Sequence, residues 1–251
     1  MKKVKWLIQT NLISNEQVVG IAKALAAQEI AFDEIHLVPF TEDIYFPDGT
    51  KVEATDDHII PYGSNKLVKL SVNRFEGVFF DKETFRLDTW IANRSDMLND
   101  DAVILTLPDA LIHLQSIDHA FVRPVEDLKA FPGVVVDKSW NPDDIDISTE
   151  IAISSCKNIV AEWRYFIVNG VIISGSLYRL RGKLHKQLET DSYILEQAQI
   201  LADRWLPHPT CVMDVAYIDE RGYRIIEFNC FNCSGFYDHD LEKIVKAAST
   251  L

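Results

Sequence analysis

The chain has 251 residues, of which 47% are hydrophobic and 25% are charged, and its formal net charge is -13. This length and composition allow one or two hydrophobic cores and exclude a disordered or collagen-like chain. The 25 Lys and Arg residues form no basic run, so binding along a nucleic-acid backbone is not expected, whereas a single nucleotide needs only two or three cations.

The first residues, MKKVKWLIQTNL, carry positive charge but become polar at Gln9 after a short apolar run, so they lack the features of a signal peptide. No apolar stretch approaches the roughly 20 residues that span a bilayer. Four cysteines without a framework spacing favour a reducing compartment. We therefore expect a cytoplasmic protein with no membrane contact.

The first part of the chain alternates between strand and helix patterns. Residues 4–8 form an apolar strand pattern, and Ser14 with Gln17 resembles a capping box before apolar residues at helical spacing. Residues 35–38 predict a second strand, and 109–115 predict a short helix. We predict an N-terminal α/β lobe over residues 1–116.

From residue 117 the pattern changes to antiparallel strands. Asn169-Gly170 lies between two β-rich runs and is a strong hairpin signal. A helix is predicted over 192–205, and strands over 211–218 and 223–228 are joined by the turn 219–222. A final helix covers 241–248. The second region therefore spans residues 117–251.

Two carboxylates lie in apolar strands of this region. Asp214 lies within CVMDVAYI and Glu227 within IIEFN, and a buried carboxylate is costly unless it is paired or binds a cation. Asn229 shares a face with Glu227 because strand side chains repeat every second residue. Three such oxygen donors suit Mg²⁺ or Mn²⁺. The alternative is a single acid that is ion-paired with a nearby arginine.

Cations in three other segments could complete a phosphate site. Glu162 and Arg164 share a strand face, Arg179 ends the following strand, and Arg123 and Lys129 lie in FVRPVEDLKAF. Each cation alone is typical of a solvated surface charge. Together with the Asp/Glu/Asn cluster, they would form a cradle for a triphosphate.

These motifs resemble the ATP-grasp superfamily, and in detail its clade named for two arginines and a lysine. The resemblance covers roughly residues 117–240 and lies in FVRPVEDLKAFPG, EWRYFIVNGVIISGSLYR, CVMDVAY and IIEFNCFNCSGFY. It implies a mixed α/β (α+β) fold, in which an N-terminal α/β lobe precedes a two-lobed nucleotide-binding region with antiparallel sheets. The segment DKSWNPDD lacks the glycine-rich loop of many relatives.

The resemblance also implies residue roles. Arg164 and Arg179 would act in catalysis, near the phosphates or the acceptor carboxylate. Nucleotide contacts would come from Arg123, Lys129, Glu162, Arg164, Arg179 and Asn232. The magnesium ligands would be Asp214, Glu227 and Asn229.

The reaction implied by the resemblance is ligation. ATP phosphorylates a carboxylate to an acyl phosphate, and an amine or thiol then displaces the phosphate. The substrates would be small molecules or peptides.

Three other functions fit parts of the sequence. Cys230 and Cys233 form one CxxC without a partner pair, so a zinc or redox site is less favoured than plain thiols. A metal-dependent nuclease or phosphatase could use Asp214 and Glu227, although the chain lacks a basic track. A nucleotide-binding module without catalysis is the remaining alternative.

Overall fold

The computed structural model of the chain describes residues 3–53, 57–126, 128 and 131–251. Within these ranges, three sheets and the helices around them form the fold. No helix in the described part of the chain has both the length and the apolar character needed to cross a membrane.

The first sheet is built mainly from parallel strands. Its order is β3-β2-β1-β4, and β1 pairs in parallel with both β2 and β4. The elements are β1 Val4–Gln9, α1 Asn15–Ala27, β2 Phe32–Leu37, β3 Ile44–Tyr45, β4 His58–Tyr62 and α2 Asn65–Ser71. Ser14 does occupy the N-cap of α1, but its side chain makes no capping hydrogen bond, so the predicted capping box is not formed.

The second sheet is antiparallel, with the order β5-β8-β6-β7. The elements of this part of the chain are α3 Leu87–Asn93, β5 Val103–Thr106, α4 Leu107–Leu114, β6 Ala120–Pro124, β7 Val134–Val136 and β8 Glu150–Ser154. Leu107, Ala110 and Leu114 of α4 pack in one core with Val122 and Ile151. The unit therefore includes residues on both sides of position 116, where the sequence predicts the lobe boundary.

The third sheet is antiparallel and has the order β11-β10-β9-β12-β13. Its elements and their neighbours are β9 Ala161–Val168, β10 Val171–Leu180, β11 Lys183–Leu188, α5 Ser192–Ala202, β12 Cys211–Ile218, β13 Gly222–Asn229, a 3₁₀ helix Phe231–Cys233 and α6 Leu241–Ala248. Asn169 and Gly170 both have positive φ, 49° and 79°, which is typical of the two-residue turn that the sequence predicts.

The two faces of β9 have different roles. Trp163, Tyr165 and Ile167 belong to a core that also contains residues of α3 and α5. On the opposite face, Phe166 and Val168 pack into the core that β1, α1 and α6 share. The polar residues Glu162 and Arg164 occupy the other end of that second face. One face of β9 is therefore polar at the end with Glu162 and Arg164 and apolar at the end that packs on β1, α1 and α6.

Candidate active site

A cleft of about 320 Å³ lies between the second and third sheets. It is lined by residues 98–99, Phe121, Arg123, Gly133, Val135, residues 155–157, Ile159, Glu162, Tyr178, Arg179, Ile226 and Glu227. Four of the nine predicted site residues line this cleft. They are Arg123 on β6, Glu162 on β9, Arg179 on β10 and Glu227 on β13.

The carboxylates lie in one row across the third sheet. Asp214 on β12 is opposite Arg164 on β9 and opposite Glu227 on β13. Asn229 also reaches this row, since its Nδ2 donates to Asp214 Oδ2 over 3.3 Å. The structure therefore brings together the three residues that the resemblance assigns to a metal.

Asp214 forms a two-contact ion pair with Arg164, which we call the closed pair. Arg164 Nε donates to Asp214 Oδ1 over 2.8 Å, and Nη2 donates to Oδ2 over 2.7 Å. Arg164 Nη1 donates to the carbonyl oxygen of Gly235 over 3.0 Å. Three of its five N–H groups are thus engaged within the protein, and this geometry favours a positioning role over direct catalysis.

Glu227 is paired with Arg123, and we call this the open pair. Arg123 Nη1 lies 3.1 Å from Glu227 Oε2, with side-chain exposures of 3% and 14%. The guanidinium lies over the ring of Trp90, 5.3 Å from its centroid, and Nε donates to the carbonyl oxygen of Pro124. Arg123 Nη2 is buried and has no hydrogen-bond partner among the described residues. A buried donor without a partner is costly, and an anion is the kind of ligand that this atom could bind.

Glu162 contacts one neutral donor, Tyr178, and one more distant cation, Arg179. Tyr178 donates its hydroxyl to Glu162 Oε2 over 2.8 Å, and Arg179 Nη1 lies 3.6 Å from Oε1. Burial raises the pKa of Glu162, although the Tyr178 hydroxyl and the Arg179 charge oppose the rise. The side chain of Arg179 is 49% exposed and lines the cleft.

Asn232 has a different environment from the other predicted nucleotide contacts. It is fully buried, its Oδ1 accepts from the amide of Phe79, and its Nδ2 donates to the carbonyl oxygens of Pro61 and Gly77. Its side-chain amide is thus satisfied by backbone of the first part of the chain. This geometry favours a role in joining the units over the predicted nucleotide contact.

Two further predictions concern Lys129 as a nucleotide contact and the Cys230/Cys233 pair as a zinc or redox site. Lys129 lies outside the described residues. Cys230 is buried and Cys233 is half-buried, and the described ranges contain no group of three or more His, Cys, Asp or Glu side chains arranged to hold a metal.

The donor set at the row is one amide and two carboxylates, each of which is paired with an arginine. Glu227 and Asn229 are half-buried at the open end of the row, and the Nδ2 bond to Asp214 directs Asn229 Oδ1 away from that residue. Asp214 Oδ1 accepts one hydrogen bond from Arg164, whereas Oδ2 accepts from both Arg164 and Asn229. This set of hard oxygen donors fits a magnesium ion that keeps several waters.

Tyr178 and Trp90 are site residues that sequence reasoning missed. Strict alternation would place Tyr178 and Arg179 on opposite faces of β10. The register shifts between Leu177 and Arg179, and both Tyr178 and Arg179 line the cleft. A β-bulge of this kind carries no signal in a single sequence. Trp90 lies far from the motifs in sequence and meets Arg123 only in the folded chain.

The sequence matches the profile of a known family over residues 88–248, and the description of that family is ATP-grasp domain, R2K clade family 3. A search of curated proteins found no match to the chain. The predicted family resemblance is therefore confirmed.

Solved structures share the fold at low identity. D-cycloserine synthetase DcsG is 10% identical with a TM-score of 0.66 over 98% of this chain and 99% of that chain. D-alanyl-alanine synthetase A from Vibrio cholerae O1 biovar eltor is 12% identical with a TM-score of 0.64 over 100% and 98%. ATP-grasp ligase PsnB, complexed with a phosphomimetic variant of minimal precursor, Mg and ADP, is 11% identical with a TM-score of 0.56 over 100% and 99%. The mixed α/β fold with antiparallel sheets is confirmed.

Proposed function

Because the chain belongs to the ATP-grasp domain family, R2K clade family 3, we propose that it is an ATP- and magnesium-dependent ligase. In this proposal, ATP activates a carboxylate as an acyl phosphate, and an amine or thiol then attacks the acyl carbon. The products are an amide or thioester, ADP and phosphate.

The observation that carries the proposal is Nη2 of Arg123, which has no hydrogen-bond partner in the described part of the chain. This atom is buried in a side chain that is 3% exposed, and the residue lines the cleft. Nε and Nη1 of the same guanidinium already have partners. The free N–H groups suit a phosphate oxygen, because arginine forms strong charge-assisted hydrogen bonds to phosphate.

The other cleft residues would bind the remaining parts of the nucleotide and the acceptor. Glu162 would accept hydrogen bonds from the ribose hydroxyls, and the half-exposed Arg179 would neutralise charge on the transferring phosphoryl group. We propose Lys129 as a further phosphate contact, as the family resemblance implies. Glu227, Asn229 and Asp214 would hold magnesium, which when bound neutralises charge on the phosphates.

In the first step, a carboxylate oxygen of the acceptor attacks the γ-phosphorus, and the bond between that phosphorus and the β,γ-bridging oxygen breaks to release ADP. In the second step, the amine or thiol attacks the acyl carbon, phosphate leaves, and the nucleophile loses a proton. The chain's own contribution is to align the groups and to offset charge, which is sufficient for phosphoryl transfer.

Peptides and small molecules are both candidate substrates. The similar structures include a D-cycloserine synthetase, a D-alanyl-alanine synthetase and a ligase bound to a peptide precursor. We propose a carboxylate and an amine of either kind for this chain, with the reaction in the cytoplasm, as the four cysteines without framework spacing suggest.

The test is ADP release from the purified protein with ATP, Mg²⁺ and a library of amino acids and short peptides. We expect release that requires both metal and a carboxylate, and we expect added hydroxylamine to convert the acyl phosphate into a hydroxamate. ADP release at the same rate without any carboxylate would indicate a phosphatase instead. Binding of ATP without turnover for any acceptor would favour the non-catalytic module.

A further inference from the structure

The strand β11, Lys183–Leu188, forms the outer edge of the third sheet. All six of its residues are exposed, and it pairs with β10 on one side. Within the described ranges no strand pairs with its other side. An edge of this kind presents a row of backbone donors and acceptors that an extended chain can bind.

The strand lies in the most basic stretch of an acidic protein. Residues 163–188 contain five Lys and Arg residues, Arg164, Arg179, Arg181, Lys183 and Lys186, and no Asp or Glu. The whole chain has a formal net charge of -13. Arg181, Lys183 and Lys186 are exposed, and their positive charge along this edge would attract an acidic segment.

The exposed apolar residues of β11 alternate with its cations. Leu184 is 67% exposed and Leu188 is 37% exposed, and Lys186 lies between them on the same face because strand side chains repeat every second residue. Lys183 and His185 lie on the opposite face. A bound strand would therefore meet both apolar and cationic side chains, each of which can form a cross-strand pair.

We propose that β11 binds an extended acidic peptide segment by strand addition. Lysines on an edge deter pairing with a like strand, so a second copy of β11 would bring cations opposite cations. An acidic peptide gains from the same lysines, and it forms main-chain hydrogen bonds along the exposed edge. Docking requires neither nucleotide nor metal, so it stands independently of the proposed ligase reaction.

The edge is also close to the cleft. Arg179, at the end of β10, lines the cleft itself, and Arg181 and Gly182 of the β10–β11 turn line an adjoining hollow that shares Glu162 and Lys157 with it. A peptide on β11 would therefore have one end near the nucleotide site. This arrangement would raise the local concentration of a tethered acceptor group.

The test uses the full-length protein without ATP and a labelled, capped peptide of sequence Thr-Glu-Val-Glu-Val-Glu-Thr. We expect saturable binding in fluorescence anisotropy that weakens as salt is raised, because exposed charges are screened. The double substitution Lys183→Glu with Lys186→Glu reverses two charges on β11, and it should weaken peptide binding by about tenfold or more. The matched variant Lys82→Glu with Lys246→Glu changes the net charge equally at two exposed sites, and it should bind as the wild type does.

Four outcomes would overturn the proposal. They are no binding of the peptide, equal binding by the two double variants, equal binding of the peptide in which proline replaces both valines, and equal binding of a single-stranded DNA of similar charge. The proline peptide keeps the charge but loses main-chain donors. Sedimentation of the wild type completes the test, since a dimer that Lys183→Glu with Lys186→Glu dissociates would show that a second copy occupies the edge.

Discussion

The closed pair and the open pair are two buried arginine–carboxylate contacts that differ in how completely they are satisfied. Arg164 and Asp214 share two hydrogen bonds of 2.8 Å and 2.7 Å, and the third nitrogen of Arg164 binds a carbonyl oxygen. Arg123 makes one 3.1 Å contact with Glu227 and keeps a buried nitrogen without a partner among the described residues. The two pairs lie on neighbouring strands of one row, because Asp214 is opposite Glu227.

This difference separates stability from function. A buried ion pair with complete hydrogen bonding offsets its own desolvation, and removing one partner leaves an uncompensated charge. A pair with an unsatisfied N–H donor can bind a further anion, and the unsatisfied donor lowers the stability of the ligand-free protein. The closed pair should therefore fix the shape of the site, and the open pair should bind the nucleotide and metal.

The largest expected effect is on the rate of ADP release when the open pair loses its carboxylate. Glu227→Gln keeps an acceptor for Arg123 and nearly the same volume, but it removes the carboxylate proposed to bind metal. We expect ADP release to fall by about 10³-fold, which is roughly 4 kcal/mol of transition-state stabilisation. Thermal unfolding should stay close to that of the wild type.

The control for this change is Glu220→Gln, which alters an exposed carboxylate in the turn of the same β12–β13 hairpin. It should leave ADP release unchanged. Full activity of Glu227→Gln would contradict the metal assignment, and a large drop in its melting temperature would show that the open pair is a stability element as well.

The next effect concerns the free energy of unfolding when the closed pair is broken. Asp214→Ala leaves Arg164 with a side chain only 12% exposed and no carboxylate partner. We expect a loss of about 3 to 5 kcal/mol in urea unfolding. The double change Arg164→Met with Asp214→Leu removes both charges, and it should recover most of that loss.

Asp100→Ala provides the matched comparison, because Asp100 also contacts an arginine at 2.7 Å, but with exposures of 31% for Arg221 and 35% for Asp100. An exposed pair contributes about 1 kcal/mol or less. If Asp214→Ala cost no more than Asp100→Ala, burial would not be what distinguishes the closed pair.

Much of the fold is predictable from local patterns. The β9–β10 hairpin follows from two β-rich runs around Asn169-Gly170, and α6 covers the predicted 241–248 because Asp240 caps an amphipathic segment. The strand β11 was not predicted, since both of its faces are exposed and no hydrophobic alternation marks it. Its pairing with β10, a tertiary contact, is what makes it a strand.

The site is predictable only in part, for a related reason. Alternation places Glu227 and Asn229 on one face, and the hairpin brings Asp214 opposite Glu227. The choice of arginine depends on which strands become neighbours. Arg164 reaches Asp214 because β9 pairs with β12, and Arg123 reaches Glu227 from a different sheet. Neither pairing leaves a signal in the spacing of one sequence.

A third carboxylate, Glu162, differs from Asp214 and Glu227 because a neutral hydroxyl, that of Tyr178, is its close partner instead of an arginine. This difference predicts a dependence of nucleotide binding on pH. Burial raises the pKa of Glu162, and the hydrogen bond from Tyr178 partly lowers it. In Tyr178→Phe this bond is lost, so the pKa of Glu162 should rise further and the carboxylate should protonate at higher pH. If the ionised Glu162 binds ribose, affinity for an ATP analogue will be lost at higher pH in the variant than in the wild type as the solution is acidified. Calorimetric titrations between about pH 5 and pH 8 measure this. Tyr237→Phe is the control, because Tyr237 stacks on Tyr178 with 4.6 Å between the ring centroids, while the hydroxyl that bonds Glu162 is that of Tyr178. Identical acid limbs in all three proteins would show that Glu162 does not contact the nucleotide as an ionised group.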